Sequence, residues 1–454
     1  MRPVEPKSIG EMSMTITSRS ASVVPLTLGL TVVAALALLR SEEGAPAAVT
    51  LFFLGGGGLV VLLLTTRTEE RRTVAAIFGV GLALRAVTAA LVYHWNPGFF
   101  SSDQGAYHNQ GARLAADWRA EGWPSLDWLA TGPGNYFSHT YGLLYYFVGA
   151  NHLAARMMTS VVGAWGGVRA FRLGREVVGT TEGGWAGWLA ACWPSFIIWS
   201  AQGLRDALLI WLWCEAGLGV VRVCRGRTSR GLLGLALALY GLTLLRPYGA
   251  VLAGMGACLA LLIATARGAR GAKLVAIGVA GLALLVGGLG FLGSDFLKGK
   301  DIETAASIHR GFWGGGSSFA IGADISTYAA AAAYIPLGLA YFLLAPFPWQ
   351  TGSPLQMSTM LEQPIWYVVF ALAVYGVFAS VRRRGAEGLV ALGAILPGTL
   401  FYALVMSNVG TGYRDRAQLV PVFFAYAAQG LVAWRRKRMD RRHRWRTGVC
   451  ILHS

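Results

Sequence analysis

The sequence predicts an all-α membrane protein that crosses a lipid bilayer about twelve times. Hydrophobic residues make up 55% of the 454-residue chain and charged residues only 13%, and the mean hydropathy is +0.51. Because a typical soluble domain carries about 25% charged residues, a soluble fold is excluded. Apolar runs close to the roughly 20 residues of a spanning helix recur throughout the chain: 22–39, 46–66, 73–93, 152–172, 183–200, 205–224, 231–246, 248–266, 272–293, 364–381, 386–406 and 417–434.

The 60 glycines fit the same interpretation, since many of them interrupt apolar runs, as in GGGG at 55–58. Small residues let membrane helices approach each other closely. We therefore expect these glycines to mark helix contacts.

Positive charge is concentrated between the apolar runs and predicts the orientation of the chain. The net charge is +17, and short basic loops mark the cytoplasmic side of a membrane protein. This placement favours an inner (plasma) membrane protein with both termini in the cytoplasm, and it argues against nucleic acid as a partner. The basic clusters are 169–175, 222–230, 267–273, 382–384 and 435–446.

With this orientation, three polar loops face the exterior, at 94–151, 294–328 and 346–363. The first contains a candidate amphipathic helix with Leu114 and Trp118 on its apolar face. One apolar segment, 329–346, has both ends outside and is interpreted as re-entrant or interfacial, with a break at Pro336; the alternative is a thirteenth span. The chain then divides into a tail with an extra hairpin (1–72), a core (73–434) and a basic tail (435–454).

Asp103 is the strongest candidate for a chemical role. It lies about ten residues after an outward-going helix, in SSDQGAYH, where Gln104, Tyr107 and His108 supply hydrogen-bonding neighbours. A carboxylate at this position can act as a general base. The alternative is that Asp103 only caps the following helix, because Asp favours N-cap positions.

Arginines supply candidate phosphate-binding groups on the same predicted face. Arg246 and Tyr248 flank a proline in LLRPYG, and an arginine at headgroup depth can bind a phosphate through two hydrogen bonds. Alternatively, Arg246 only anchors its helix end against lipid headgroups. Arg205 is a further candidate, although an ion pair with the adjacent Asp206 explains it equally well.

The last external loop, SNVGTGYRDRAQLVP, places Tyr413, Arg414 and Arg416 on the side where positive residues are disfavoured. A cationic, glycine-containing turn that opens a helix can bind a phosphate. The alternative is that Asp415 neutralises one arginine while the other touches lipid phosphates. The histidines show no metal-ligand spacing, and the sequence predicts neither a metal nor a cofactor.

The run from Leu84 to Ala115 resembles the first helix and first external loop of the GT-C superfamily of polyprenyl-phosphate-dependent glycosyltransferases, with Asp103 at their catalytic position. The segments 193–209, 244–249 and 410–421 are similar in order, so the likeness covers roughly 73–434. The closest resemblance is to bacterial relatives of protein mannosyltransferases and of the lipid A aminoarabinose transferase. Two departures are the extra hairpin and Gln104, where many members carry a second acid.

The resemblance implies a GT-C-like helical bundle that transfers a sugar from a polyprenyl-phosphate-linked donor to a glycan, lipid or protein acceptor among the membrane lipids. Asp103 is then the general base, and Arg246, Arg414 or Arg416 holds the departing phosphate, with inversion at the anomeric carbon. Two other functions fit similar features. One is an O-antigen-type polysaccharide polymerase or ligase, and the other is a lipid or polysaccharide transporter without catalysis.

Overall fold

The computed structural model describes residues 44–95, 101–129, 134–179, 181–265, 302–314, 317–350 and 360–447. Every regular element in these ranges is helical, and the β contact found there is an isolated bridge between Ser318 and Asn408. The main helices are α1 Gly44–Thr65, α2 Thr68–Trp95, α3 Ser101–Glu121, α4 Phe137–Val148, α5 His152–Val178, α6 Trp185–Cys192, α7 Pro194–Ser200, α8 Asp206–Cys224, α9 Thr228–Leu245, α10 Pro247–Thr265, α11 Ile302–Gly311, α12 Tyr328–Leu344, α13 Gln363–Arg384, α14 Val390–Val405, α15 Val409–Arg416 and α16 Val420–Thr447.

Within the described ranges, six helical stretches are long and apolar enough to cross a membrane, or seven if the bent pair α15 and α16 forms one span. These stretches are α1, α2, α8, α9, α10 and the stretch Gln363–Val405, which contains α13 and α14. The prediction of an all-helical, membrane-embedded chain is therefore confirmed. The predicted spans 22–39 and 272–293 lie outside the described residues.

The predicted span 183–200 is wrong as a single helix, because the chain breaks between α6 and α7 at Pro194. Proline has no N–H, so it cannot bond the carbonyl of Ala190 four residues earlier. The buried Arg85 of α2 compensates, since its guanidinium donates to the carbonyl oxygens of Ala190 at 3.2 Å and Ala191 at 2.9 Å. A buried arginine thus completes the end of a broken helix.

The segment predicted as re-entrant or interfacial, 329–346, forms the single helix α12. The predicted break at Pro336 is wrong, because the helix continues through this residue and ends at Leu344, before Pro346 and Pro348. Seventeen residues extend about 26 Å at 1.5 Å per residue. This length is less than the roughly 30 Å of a bilayer core, so α12 is a short apolar helix.

The chain forms two compact units, defined by which residues contact each other. Unit 1 comprises the described residues within 1–128, 136–168 and 190–208, and unit 2 comprises those within 129–135, 169–189 and 209–454. In unit 1, the predicted amphipathic helix is α3, and its inward face packs against α4. Gly111 permits this contact, because a methyl group there would lie 2.4 Å from Cβ of Tyr141.

In unit 2, α13 packs along α16 and α10 packs along α14. A methyl group at Gly376 of α13 would lie 1.9 Å from the carbonyl oxygen of Tyr426 in α16, and one at Gly430 would lie 2.0 Å from that of Leu372. The prediction that glycines mark helix contacts is confirmed at these crossings. Within GGGG it holds for Gly58, where a methyl group would lie 2.8 Å from Trp165 Nε1, but not for Gly56 and Gly57, which face open space.

Two of the basic clusters, 222–230 and 382–384, meet at the C-terminal end of α5. Arg383 Nη2 donates to the carbonyl of Val178 at 2.8 Å, and Arg225 pairs with Glu176 at 3.2 Å. From this end, the 18 residues of α9 extend about 27 Å, and Arg246 follows directly. One end of α9 therefore carries the clustered arginines and the other end carries Arg246.

Candidate functional site

Asp103 lies in the first turn of α3, and its side chain is partly exposed. The described part of α3 begins at Ser101, and Asp103 is the acidic residue of its first turn. A carboxylate is stabilised there by the positive end of the helix dipole. The fold therefore leaves this carboxylate partly accessible.

The neighbouring Gln104 points into unit 1 and is buried. Its Oε1 accepts a hydrogen bond from Arg156 Nη2 at 3.0 Å, and the Arg156 guanidinium lies 5.6 Å from the ring centre of Tyr93. An arginine buried in an apolar helix needs such an acceptor. Gln104 therefore positions Arg156, a charged residue inside an otherwise apolar helix.

The other predicted residues of unit 1 have different surroundings. Tyr107 is buried, and its ring packs edge-on against Phe137. His108 is half-buried, with its Nδ1 2.9 Å from the Tyr145 hydroxyl and its ring stacked on His152 at 3.5 Å. Arg205 is half-buried just before the start of α8. Tyr107 thus packs in the interior of unit 1, whereas His108 and Arg205 are partly exposed at its surface.

In unit 2, Arg246 belongs to a buried hydrogen-bond network. Its Nη1 donates to Asp415 Oδ1 at 2.6 Å and lies 3.4 Å from the Tyr402 hydroxyl. Gln418 Nε2 donates to the same Asp415 oxygen at 2.9 Å, and the Tyr402 hydroxyl donates to Gln418 Oε1 at 3.2 Å. Asp415 thus pairs with Arg246, which is distant in sequence.

Arg416 is only 3% exposed, and its guanidinium is bonded to the protein backbone. Its Nη1 donates to the carbonyls of Leu343 at 2.8 Å and Ala345 at 3.0 Å, and its guanidinium lies 5.0 Å from the ring centre of Trp366. These carbonyls lie at the C-terminal end of α12, where no following helical turn supplies an N–H donor. Arg416 therefore caps α12, and a phosphate would have to compete with these bonds.

Tyr248, Tyr413 and Arg414 complete the predicted set in unit 2. The half-buried Tyr248 ring lies 5.3 Å from the Arg246 guanidinium, and the buried Tyr413 ring lies 5.0 Å from that of Arg416. Arg414 is half-buried in α15, between the buried residues Tyr413 and Asp415. Unit 2 therefore brings Arg246, Tyr248 and Asp415 into one cluster, and Arg414 directly precedes Asp415 in α15.

Several residues of these clusters were missed by sequence reasoning. Tyr402 and Gln418 carry no recognisable motif, and their roles depend on contacts between α14 and the segment that follows α15. Arg156 had a usable signal, because a charged residue inside an apolar run requires a partner. In the described ranges, no group of three His, Cys, Asp or Glu side chains is arranged to hold a metal ion.

Comparison with family profiles, with curated proteins and with solved structures gives no match for this chain.

His309 of α11 is fully buried in the region predicted as the second external loop. Its Nδ1 donates to the Leu404 carbonyl at 3.2 Å, and Ser407 Oγ donates to the His309 carbonyl at 2.6 Å. Burial lowers the pKa of this imidazole from its usual value, and the nearby Arg310 contributes in the same direction. The folded state therefore favours neutral His309.

The lowered pKa of His309 predicts acid sensitivity. The unfolded chain binds the proton at higher pH than the folded chain, so stability is present above about pH 6.5 and is lost as the pH falls towards the folded pKa. The maximum slope is about 1.4 kcal/mol per pH unit. Thermal unfolding of the detergent-solubilised chain between pH 7.5 and 5.5 measures this dependence of stability on pH. His309→Asn should flatten this dependence, and an unchanged slope would refute the assignment.

Proposed function

We propose that this chain is a glycosyltransferase of the plasma membrane with a GT-C-like core and about twelve crossings. It moves a sugar from a polyprenyl-phosphate-linked donor to an acceptor hydroxyl at the external face. The observation that carries the proposal is the partly exposed carboxylate of Asp103 at the start of α3, beside a glutamine that is buried and bonded. This arrangement presents one accessible base to a substrate.

The reaction needs few protein groups. Asp103 takes the proton of the acceptor hydroxyl, and the acceptor oxygen forms a bond to the anomeric carbon while the bond from that carbon to the phosphate oxygen breaks. The sugar is transferred with inversion, and polyprenyl phosphate leaves. Because a phosphate is a good leaving group, it needs positive charge rather than a general acid.

Arg246 and Arg414 are the cations that we assign to the departing phosphate. Arg246 is fixed in place by Asp415 at 2.6 Å, which limits the motion of its guanidinium. Arg414 is half-buried and directly precedes Asp415 in α15. Arg416 acts indirectly, since it holds the end of α12 through backbone carbonyls.

The distribution of charge supports the proposed orientation. In unit 2, Arg225 and Arg383 share one end of the helices, and Arg246 follows the other end of α9. Clustered arginines are typical of the cytoplasmic side. The assignment of Arg246 to the external face follows from this rule.

A reconstituted transfer assay tests the proposal. The purified chain in proteoliposomes is given radiolabelled sugars linked to a polyprenyl monophosphate or to a polyprenyl diphosphate, with extracted envelope glycans, lipids and proteins as acceptors. Transfer from the monophosphate donor is the expected result. Transfer only from the diphosphate-linked oligosaccharide would indicate a polymerase or ligase, and movement of intact donor across the bilayer without transfer would indicate a transporter.

A further inference from the structure

A cavity of about 250 Å³ lies within unit 2, at the end where the arginine clusters meet. Residues of α5, α8, α13, α14 and α16 line it. Its apolar side includes Val177, Val221 and Val390, and its polar side includes Arg225 and Arg384. The cavity is far larger than the roughly 30 Å³ that one water occupies in the liquid.

The cavity is positively charged. Its lining holds two guanidinium groups, Arg225 and Arg384, and one carboxylate, Glu387. Arg384 Nη2 donates to the Val178 carbonyl at 3.2 Å, so its position beside the cavity is fixed. Glu176, which pairs with Arg225, is shared with Arg227, so one carboxylate serves two arginines. An anion would meet an excess of positive charge there.

A second hollow, with no lining residue in common with the cavity, lies on α13. It has a volume of about 450 Å³ and is lined by Tyr375, Phe378 and Ala379, followed one turn later by Arg382 and Arg383. Phe378 is 63% exposed. An apolar groove that ends in exposed arginines matches the shape of an acyl chain below an anionic headgroup.

We propose that the basic cavity binds a phosphate group, held between Arg225 and Arg384. An anionic phospholipid or free phosphate could supply this group. Arginine forks bind phosphate oxygens through paired hydrogen bonds. The site does not depend on the proposed transferase activity, because it uses none of the residues assigned to sugar transfer.

The test uses the full chain with Cys224, which lines the cavity, as the reporter and with the other four of its five cysteines replaced by alanine. In phosphatidylcholine nanodiscs, the rate of maleimide labelling of Cys224 is measured with added phosphatidylglycerol or with inorganic phosphate. Protection by phosphatidylglycerol alone identifies the lipid as the source. Protection by inorganic phosphate identifies free phosphate. Both results support the site, and the absence of protection by either ligand would overturn it.

Matched variants locate the effect. Arg384→Gln and Arg225→Gln should each lower the affinity for the protecting ligand roughly tenfold or more, since each removes a charge-assisted hydrogen bond. Glu387→Gln removes the opposing charge and should strengthen binding, a gain that misfolding cannot mimic. Arg230→Gln removes the same charge from an exposed position outside the cavity and should have little effect. Equal losses in Arg230→Gln and Arg384→Gln would mean general surface attraction and refute the site.

Discussion

Asp103→Asn is expected to lower the rate of sugar transfer by about 10²- to 10⁴-fold, the usual contribution of a general base. Asparagine preserves the size and hydrogen-bonding reach of the side chain but cannot take the acceptor proton. Because Gln104 and its bond to Arg156 remain, α3 should keep its position. The measurement is the initial rate of transfer in proteoliposomes, with donor affinity determined separately.

The control for this prediction lies on the same helix. Asp117 is exposed on α3, and Asp117→Asn removes the same charge without affecting the proposed base. Asp103→Asn should lower the free energy of unfolding by only about 0.3–1 kcal/mol, because it removes a favourable interaction of the carboxylate with the helix dipole. Unfolding therefore cannot explain a large rate loss. Transfer by Asp103→Asn at the unaltered rate would refute the base assignment.

The second large effect concerns the ion pair between Arg246 and Asp415. Arg246→Met should destabilise the chain by about 3–5 kcal/mol, since it leaves a buried carboxylate without its cation. The double variant Arg246→Met, Asp415→Leu should recover most of this loss, because an apolar pair of similar volume is often as stable as a buried ion pair. Chemical or thermal unfolding in detergent measures both changes.

The same variants separate stability from phosphate binding. A folded double variant that transfers no sugar would support Arg246 as a phosphate ligand, whereas full activity would restrict it to a structural role. Arg414→Met is the matched control for stability, since Arg414 is only half-buried. An equally large loss of stability in Arg414→Met would contradict the special importance of the buried pair.

Local sequence signals predicted much of the helical structure. Alternation of apolar runs with basic clusters placed α2, α8, α9 and α10 close to their observed bounds. Proline signals were harder to interpret. Pro194 splits a predicted span while Pro336 stays inside a helix, and the difference depends on tertiary partners rather than on the proline itself.

The candidate site was predictable only where local spacing determines it. The position of Asp103 at the start of an amphipathic helix follows from the sequence between 101 and 118. The role of Arg416 does not, because its acceptor, the Leu343 carbonyl, lies 73 residues away. Pairing of Asp415 with Arg246 across 169 residues is likewise a property of the folded unit.

The contact between Arg85 and the break at Pro194 has a consequence for biogenesis. Arg85 lies inside an apolar helix, and an arginine near the centre of an inserting helix costs about 2.5–3.5 kcal/mol. Its acceptor Ala190 follows 105 residues later, so α2 is synthesised long before the carbonyls that stabilise it. Stable insertion of α2 therefore depends on arrival of the Pro194 segment, and truncation of the nascent chain before that segment should leave α2 poorly retained in the bilayer.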